Sequence, residues 1–214
     1  MTTLAEALAH PRSSVRLQAV MTAGTDADAA DLDLLVRQCA AEPDFFVRDM
    51  LTWALTRLPA DLVVPRLLTE LRDGGRQARS QALHTLSKVG DRRAWSDVMA
   101  HLGDVDDEVA KAAWRAAVAL APDDRRAEVA DRLVELLGRG DDSLRRSLSR
   151  SVVALGEDVA GPALDRAAQS SRPAVRDHVD EVRRLFRDPD SASDAALAAA
   201  RREVALGRTR SAKG

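Results

Sequence analysis

The feature that most constrains this chain is an internal repeat. Segments beginning SVRLQAVMTA, FVRDMLTWAL, QARSQALHTL, EVAKAAWRAA, SLRRSLSRSV and AVRDHVDEVR align on an apolar anchor. The anchors are Val15, Val47, Ala78, Val109, Leu144 and Val175, spaced 32, 31, 31, 35 and 31 residues apart. Four positions later stand Ala19, Leu51, Ala82, Ala113, Leu148 and Val179, all apolar. Eleven positions later, Leu58, Val89, Leu120, Leu155 and Phe186 close the stripe in five copies, while the first copy runs out at Asp26. Such spacing marks the buried face of a helix. The register also runs backwards. Leu4, Val36, Leu67, Val98, Leu133 and Leu164 precede the anchors by eleven, and Leu8, Ala40, Leu71, Leu102, Leu137 and Ala168 by seven. Each unit is therefore a helix A, a turn, a helix B and a link. One such pair cannot bury its own apolar face, but stacked pairs can, and stacking them makes a solenoid.

The punctuation agrees. Asp44, Asp106 and Asp141 stand three before their anchors, where an N-cap belongs. The turns AEPD, DGGR, GDVDD, GRGDD and SSRP precede helix B. Pro65 and Pro162, thirteen before their anchors, are expected in the first turn of helix A, where a missing N–H is harmless. Aromatic residues make up only 3% and there is no Tyr, so the core must be built from Ala, Leu and Val.

The D-x-x-V-R-x-x-A pattern at the start of helix B resembles the short bacterial HEAT repeat, also called the PBS-lyase HEAT-like repeat. Asp44, Val47, Arg48 and Leu51 match it in the second copy, and Asp141, Leu144, Arg145 and Leu148 in the fifth. The resemblance covers about residues 4–187. The expected fold is all-α: a right-handed α-solenoid of about six HEAT-like helical pairs plus a C-terminal helix. Residues 1–187 are expected to form the solenoid. Residues 188–214 are expected to supply a linker, a capping helix closed by Gly207 and a basic tail. The resemblance also implies that the arginine after each anchor pairs with a turn aspartate to form a structural ladder: Arg16, Arg48, Arg79, Arg145 and Arg176, interrupted at Ala110.

In HEAT solenoids the B helices line the concave face. The rows two and six after the anchor point outward and vary between copies. The sixth row runs Met21, Trp53, His84, Arg115, Arg150 and Glu181. The second runs Leu17, Asp49, Ser80, Lys111, Arg146 and Asp177. The expected partner-binding residues are Trp53, His84, Lys111, Arg115, Arg146 and Arg150, with Trp53 beside His84 and Arg115 as an aromatic anchor. Lys111, Arg115, Arg145, Arg146 and Arg150 also read as a basic strip able to hold phosphates, a terminal carboxylate or an acidic segment. Trp114 is expected between neighbouring B helices and Trp95 in the packing of helix A.

Catalytic spacing is missing: there is no HExxH, CxxC, GxSxG or GxxxxGK. His10, His84, His101 and His178 fall in different units, so no metal site and no cofactor are indicated. Cys39 reads as a small packing residue. The net charge of −2 disfavours a dedicated nucleic-acid binder. No apolar run is long enough to cross a membrane. The lone Cys and the absence of a signal-like N-terminus give the expectation of a cytoplasmic protein. The expected function is a non-catalytic scaffold or adaptor binding a protein or peptide on the B-helix face. The runner-up is a nucleic-acid-binding HEAT-like module, either resembling the HEAT-like DNA glycosylases or regulating a transcription system; a bilin-lyase-like activity ranks lower.

Overall fold

The structure is a computed structural model that describes residues 3–188. Those residues are all-α, with twelve α-helices and no strand among them. They group into two compact units that divide after Arg132.

The first unit holds α1 (Leu4–Leu8), α2 (Ser13–Asp26), α3 (Leu32–Ala41), α4 (Phe45–Thr56), α5 (Ala60–Asp73), α6 (Arg76–Val89), α7 (Trp95–Met99) and α8 (Asp107–Leu120). α9 (Arg126–Val134) runs across the division. Each odd-numbered helix of this unit packs on the even-numbered one that follows. The even-numbered helices pack in series, α2 on α4, α4 on α6 and α6 on α8. This is the repeating A/B array that the anchor columns require. Val47, Leu51, Leu67, Leu71, Ala78, Ala82, Val98, Leu102, Val109 and Ala113 are all buried. At about 1.5–3 kcal/mol for each large apolar side chain taken from water, these columns dominate the stability of the unit.

The second unit contains α10 (Asp142–Val153), α11 (Glu157–Ala167) and α12 (Pro173–Arg187). α12 packs on both α10 and α11, and Leu144, Leu148, Val175, Val179 and Leu164 are buried there. The expected linker, capping helix, Gly207 and basic tail fall in residues 189–214, outside the described residues.

The helix starts follow from capping. Asp44 accepts the Phe46 and Val47 N–H groups at 2.9 and 3.2 Å. Asp106 does the same for Glu108 and Val109 at 3.0 and 3.2 Å. Asp141 caps Leu144 at 2.8 Å. Thr3 and Glu6 form a full capping box on α1.

Two expectations change. Pro65 and Pro162 do not sit in first turns; each is the sixth residue of its helix, inside α5 and α11. Both are exposed, on the side of the helix where a carbonyl without its N–H partner costs least. The buried face of helix B is also wider than the anchor stripe. The position five after the anchor is fully enclosed at Val20, Thr52, Leu83, Trp114 and Ser149. In the first unit this row forms the seam between successive B helices. Polar residues survive in it by pairing: the Thr52 and Thr85 hydroxyls lie 3.1 Å apart, and Gln81 donates to Thr52 at 2.7 Å. Trp114 is fully buried in this row, and its indole N–H donates to the Leu102 carbonyl at 2.8 Å, in the turn that follows its own helix A.

Candidate functional site

The arginines after the anchors are held by the turns between helices A and B. Arg16 Nη1 donates to the His10 and Pro11 carbonyls at 2.9 and 3.0 Å. Arg48 Nη1 donates to Glu42 and Pro43, both at 2.8 Å, and Arg176 Nη1 to Ser170 at 2.7 Å. These carbonyls lie five or six residues before the arginine, so each guanidinium ties down its own turn. A second set of contacts reaches the next pair. Arg16 forms a bidentate pair with Glu42, and Arg79 Nη1 meets Asp104 at 3.2 Å. The expected arginine–aspartate ladder is therefore corrected to a mixed one. Only Arg79 meets an aspartate, Arg16 meets a glutamate, and Arg48 and Arg176 are satisfied by backbone oxygen. Arg145 is half-buried with its Nε unpartnered among the described residues. Carbonyls suffice because a turn at a helix end exposes several unpaired acceptors.

Glu42 is the hub. Its carboxylate is fully buried and accepts from Arg16, from Gln38 at 2.8 Å and from the Asp44 N–H at 2.9 Å. Burial alone pushes its carboxyl up. The bonds from Arg16, the Asp44 amide and Gln38 outweigh burial and hold it below the ordinary glutamate value.

The outward faces of α4, α6 and α8 enclose a groove of about 740 Å³ in the first unit. Phe45 lines one end, next to Arg76 and Gln77; Asp49, Ser80 and Ala112 line the middle; His84, Lys88, Arg115 and Ala119 line the other end. His84 and Arg115 thus share a groove. Lys111 lies beside it, drawn to Glu108 at 2.9 Å. Glu108, which also lines the groove, is neutralised by this contact. Lys88 and Arg115 have no carboxylate partner among the described residues. His84 lines the groove with them and feels both charges. Burial lowers its pKa from the ordinary 6.5, Lys88 and Arg115 lower it further, and Asp49 opposes them.

Trp53 does not line this groove. Its ring packs over Gly24 of α2, where a Cβ would come within 2.8 Å of Trp53 Cε3 and closer still to Cζ3. The ring is 37% exposed but is spent on the α2–α4 seam. The expected grouping of Trp53 with His84 and Arg115 is thereby corrected: the glycine opens a slot on the neighbouring helix that a tryptophan fills. Arg146 and Arg150 are exposed on α10, in the second unit.

Two groove residues were missed from sequence. Phe45 is 66% exposed and meets Phe46, 72% exposed, edge-to-face at 5.7 Å. Lys88 ends the row one helical turn past His84. Continuing the outward rows by one turn in each direction reaches both.

The remaining reactive groups are enclosed. Cys39 is buried and its thiol is pushed up to about 12, chiefly by burial. His178 is buried in the second unit. Its Nδ1 accepts the Gly138 N–H at 3.0 Å, so Nε2 carries the proton and faces Ser149 Oγ at 2.9 Å. Ser149 donates in turn to the Arg145 carbonyl at 2.9 Å. Among the described residues no group of His, Cys, Asp or Glu converges to hold a metal ion, and no helix is long and apolar enough to cross a membrane.

No family model and no curated protein matches the sequence. Among solved structures, the chain is similar to an engineered protein at 18% identity, with a TM-score of 0.46, covering 86% of this chain and 95% of that one. It is also similar to a designed armadillo repeat protein at 14% identity, with a TM-score of 0.42, covering 86% of this chain and 98% of that one.

Proposed function

We propose that this chain is a non-catalytic repeat scaffold that holds a segment of a protein partner in the groove of its first unit. The observation that carries the reading is the groove itself. It is large, it lies on the outward face of three consecutive B helices, and it combines an exposed Phe45 with the unpaired cations Lys88 and Arg115. Folding does not need an exposed aromatic or unpaired cations at these positions, and binding surfaces are enriched in aromatic residues and arginine. Among the described residues Lys88 and Arg115 hold no ion pair that a ligand would have to break. No catalytic step is part of the reading, because Cys39 and the Ser149–His178 pair are sealed in packing contacts.

Panning a random peptide display library against the protein tests it, with Ala119→Trp as the counter-selected variant. Ala119 is exposed at the groove end, so an indole there fills the groove without entering the core. Enriched peptides should compete with one another and lose binding to the variant, whose melting temperature stays unchanged. Peptides that bind both proteins equally would place recognition elsewhere and end this reading.

A further inference from the structure

The groove is polarised along its length. α6 lines it from Arg76 in its first turn to Lys88 in its last. Those positions span about 18 Å at about 1.5 Å per residue. An extended peptide of about five residues covers that span at about 3.3 Å per residue. At the end where the B helices begin, the prominent side chain is the exposed ring of Phe45. Here the charges are already matched: Arg76 approaches Asp106 at 3.4 Å and Glu108 holds Lys111. Arg48, also at this end, is turned onto its own turn carbonyls. At the end where the B helices finish, Lys88 and Arg115 stand on adjacent helices without a carboxylate among the described residues, and Ser87 and Ala119 complete the wall. The last turn of α6 tolerates Lys88 unpaired because the helix dipole favours a cation there. The charge is thus available to a ligand.

We infer, on the premise of the peptide-binding reading above, that the groove selects a bipartite extended peptide: an apolar side chain on Phe45 and a carboxylate about five residues away on Lys88 and Arg115. The occupant is a segment of another protein. Residues 189–214 of this chain carry more basic than acidic side chains and do not complement a cationic end. A nucleic-acid strand is the poorer match, since its phosphates need cations along the whole path. Here the cations without a carbonyl or carboxylate partner gather at one end, and the carboxylate of Asp49 lines the middle.

Amide-resolved NMR titration tests this with defined, end-capped probes. They are Phe-Ser-Ser-Ser-Ser-Glu, its reversed sequence, and versions in which Glu becomes Gln or Lys, or Phe becomes Ser; oligothymidine is the competing polymer. One orientation of the Phe/Glu probe should shift amides of α4, α6 and α8. Loss of either determinant should weaken binding about tenfold, the scale of one good contact. The Lys88→Glu, Arg115→Glu double variant should prefer the Lys-terminated probe. Equal binding of the Glu and Lys probes, or an unchanged preference in the double variant, overturns the acid selection. If the neutral Phe probe then still binds and Ala119→Trp blocks it, the peptide-groove reading stands without the acidic determinant. Binding of oligothymidine in preference to every peptide, or of no probe at all, removes both.

Discussion

Arg16 and Glu42 form a buried bidentate pair, Nε to Oε2 at 2.8 Å and Nη2 to Oε1 at 2.6 Å, that joins the first helical pair to the turn of the second. The side chains retain 10% and 0% exposure, so neither charge has water to fall back on. Removing one partner strands the other, at about 3–5 kcal/mol for a pair buried this way. Glu42→Ala should therefore lower the chemical-denaturation free energy by about that amount. Because Arg48 and Gln77 hold the Glu42 carbonyl rather than its carboxylate, they cannot compensate. Replacing both Arg16 and Glu42 by apolar residues should recover most of the loss. A double variant no more stable than Glu42→Ala would show that the pair is not the source.

The same pair gives an acid-side pH dependence. Glu42 is held below the ordinary value of 4.5 in the folded chain, so the unfolded state binds its proton first as pH falls. Its stabilisation is complete above about pH 4.5 and declines as pH falls through the folded value. Stability curves of the native protein and of Glu42→Gln should converge at low pH. Curves that stay parallel would exclude this linkage.

Gly24 and Trp53 make a second testable fit. A methyl at Gly24 would collide with the ring, and overpacking of this kind costs about 1–3 kcal/mol. Gly24→Ala should lower the melting temperature and red-shift the tryptophan emission as the indole is expelled. In a Trp53→Ala background the same substitution should become neutral or stabilising, since alanine is the better helix former. An equal penalty in both backgrounds would mean that the backbone around Gly24, not the ring, is what matters.

What the sequence could and could not reveal follows from the range over which each signal acts. The anchor columns were legible because burial repeats with the helical period in every copy. Thr52 and Ser149 were not legible as buried, because their hydroxyls are satisfied by Thr85, Gln81, His178 and a backbone carbonyl that only the folded chain brings near. The packing of Trp53 on Gly24 is hidden for a related reason: an outward helical position says that a side chain leaves its own helix, not that a glycine on another helix awaits it. His84 and Arg115 were placed in a common row by period alone. Phe45 and Lys88 extend the same face by one turn, and the deciding fact about Lys88, that no carboxylate neutralises it among the described residues, is a property of the assembled surface.

The buried His178 predicts a second, separate pH effect. Its Nδ1 accepts the Gly138 N–H, so protonation would set two donors against each other. Burial lowers its pKa below the ordinary 6.5; Glu181 and the bond to the Arg145 carbonyl oppose this, while the Arg145 charge adds to it. The second unit should be fully stabilised by neutral His178 above about pH 6.5 and lose that contribution as pH falls through the folded value. The protection factor of the Gly138 amide against hydrogen exchange should fall as pH drops across this window, and His178→Gln should flatten the response. An unchanged Gly138 protection factor between neutral and mildly acidic pH would show that the imidazole does not hold that turn.

His84 turns the ligand preference inferred for the groove into a proton linkage. In the free protein burial, Lys88 and Arg115 all hold its pKa below 6.5, with Asp49 pulling the other way. A ligand carboxylate seated on Lys88 and Arg115 offsets their repulsion, so the bound-state pKa of His84 rises and binding takes up protons. Affinity for the acidic peptide should then increase as pH falls from above the bound-state value to below the free-state value, while the ligand carboxylate stays ionised. The Gln-terminated probe should show little of this slope, and His84→Gln should remove it for the acidic probe without changing affinity at the alkaline end. Calorimetric titration in buffers of different ionisation enthalpy measures the proton uptake directly. Zero uptake by the native protein, or the same uptake by His84→Gln, would place the ligand carboxylate away from the Lys88–Arg115 end.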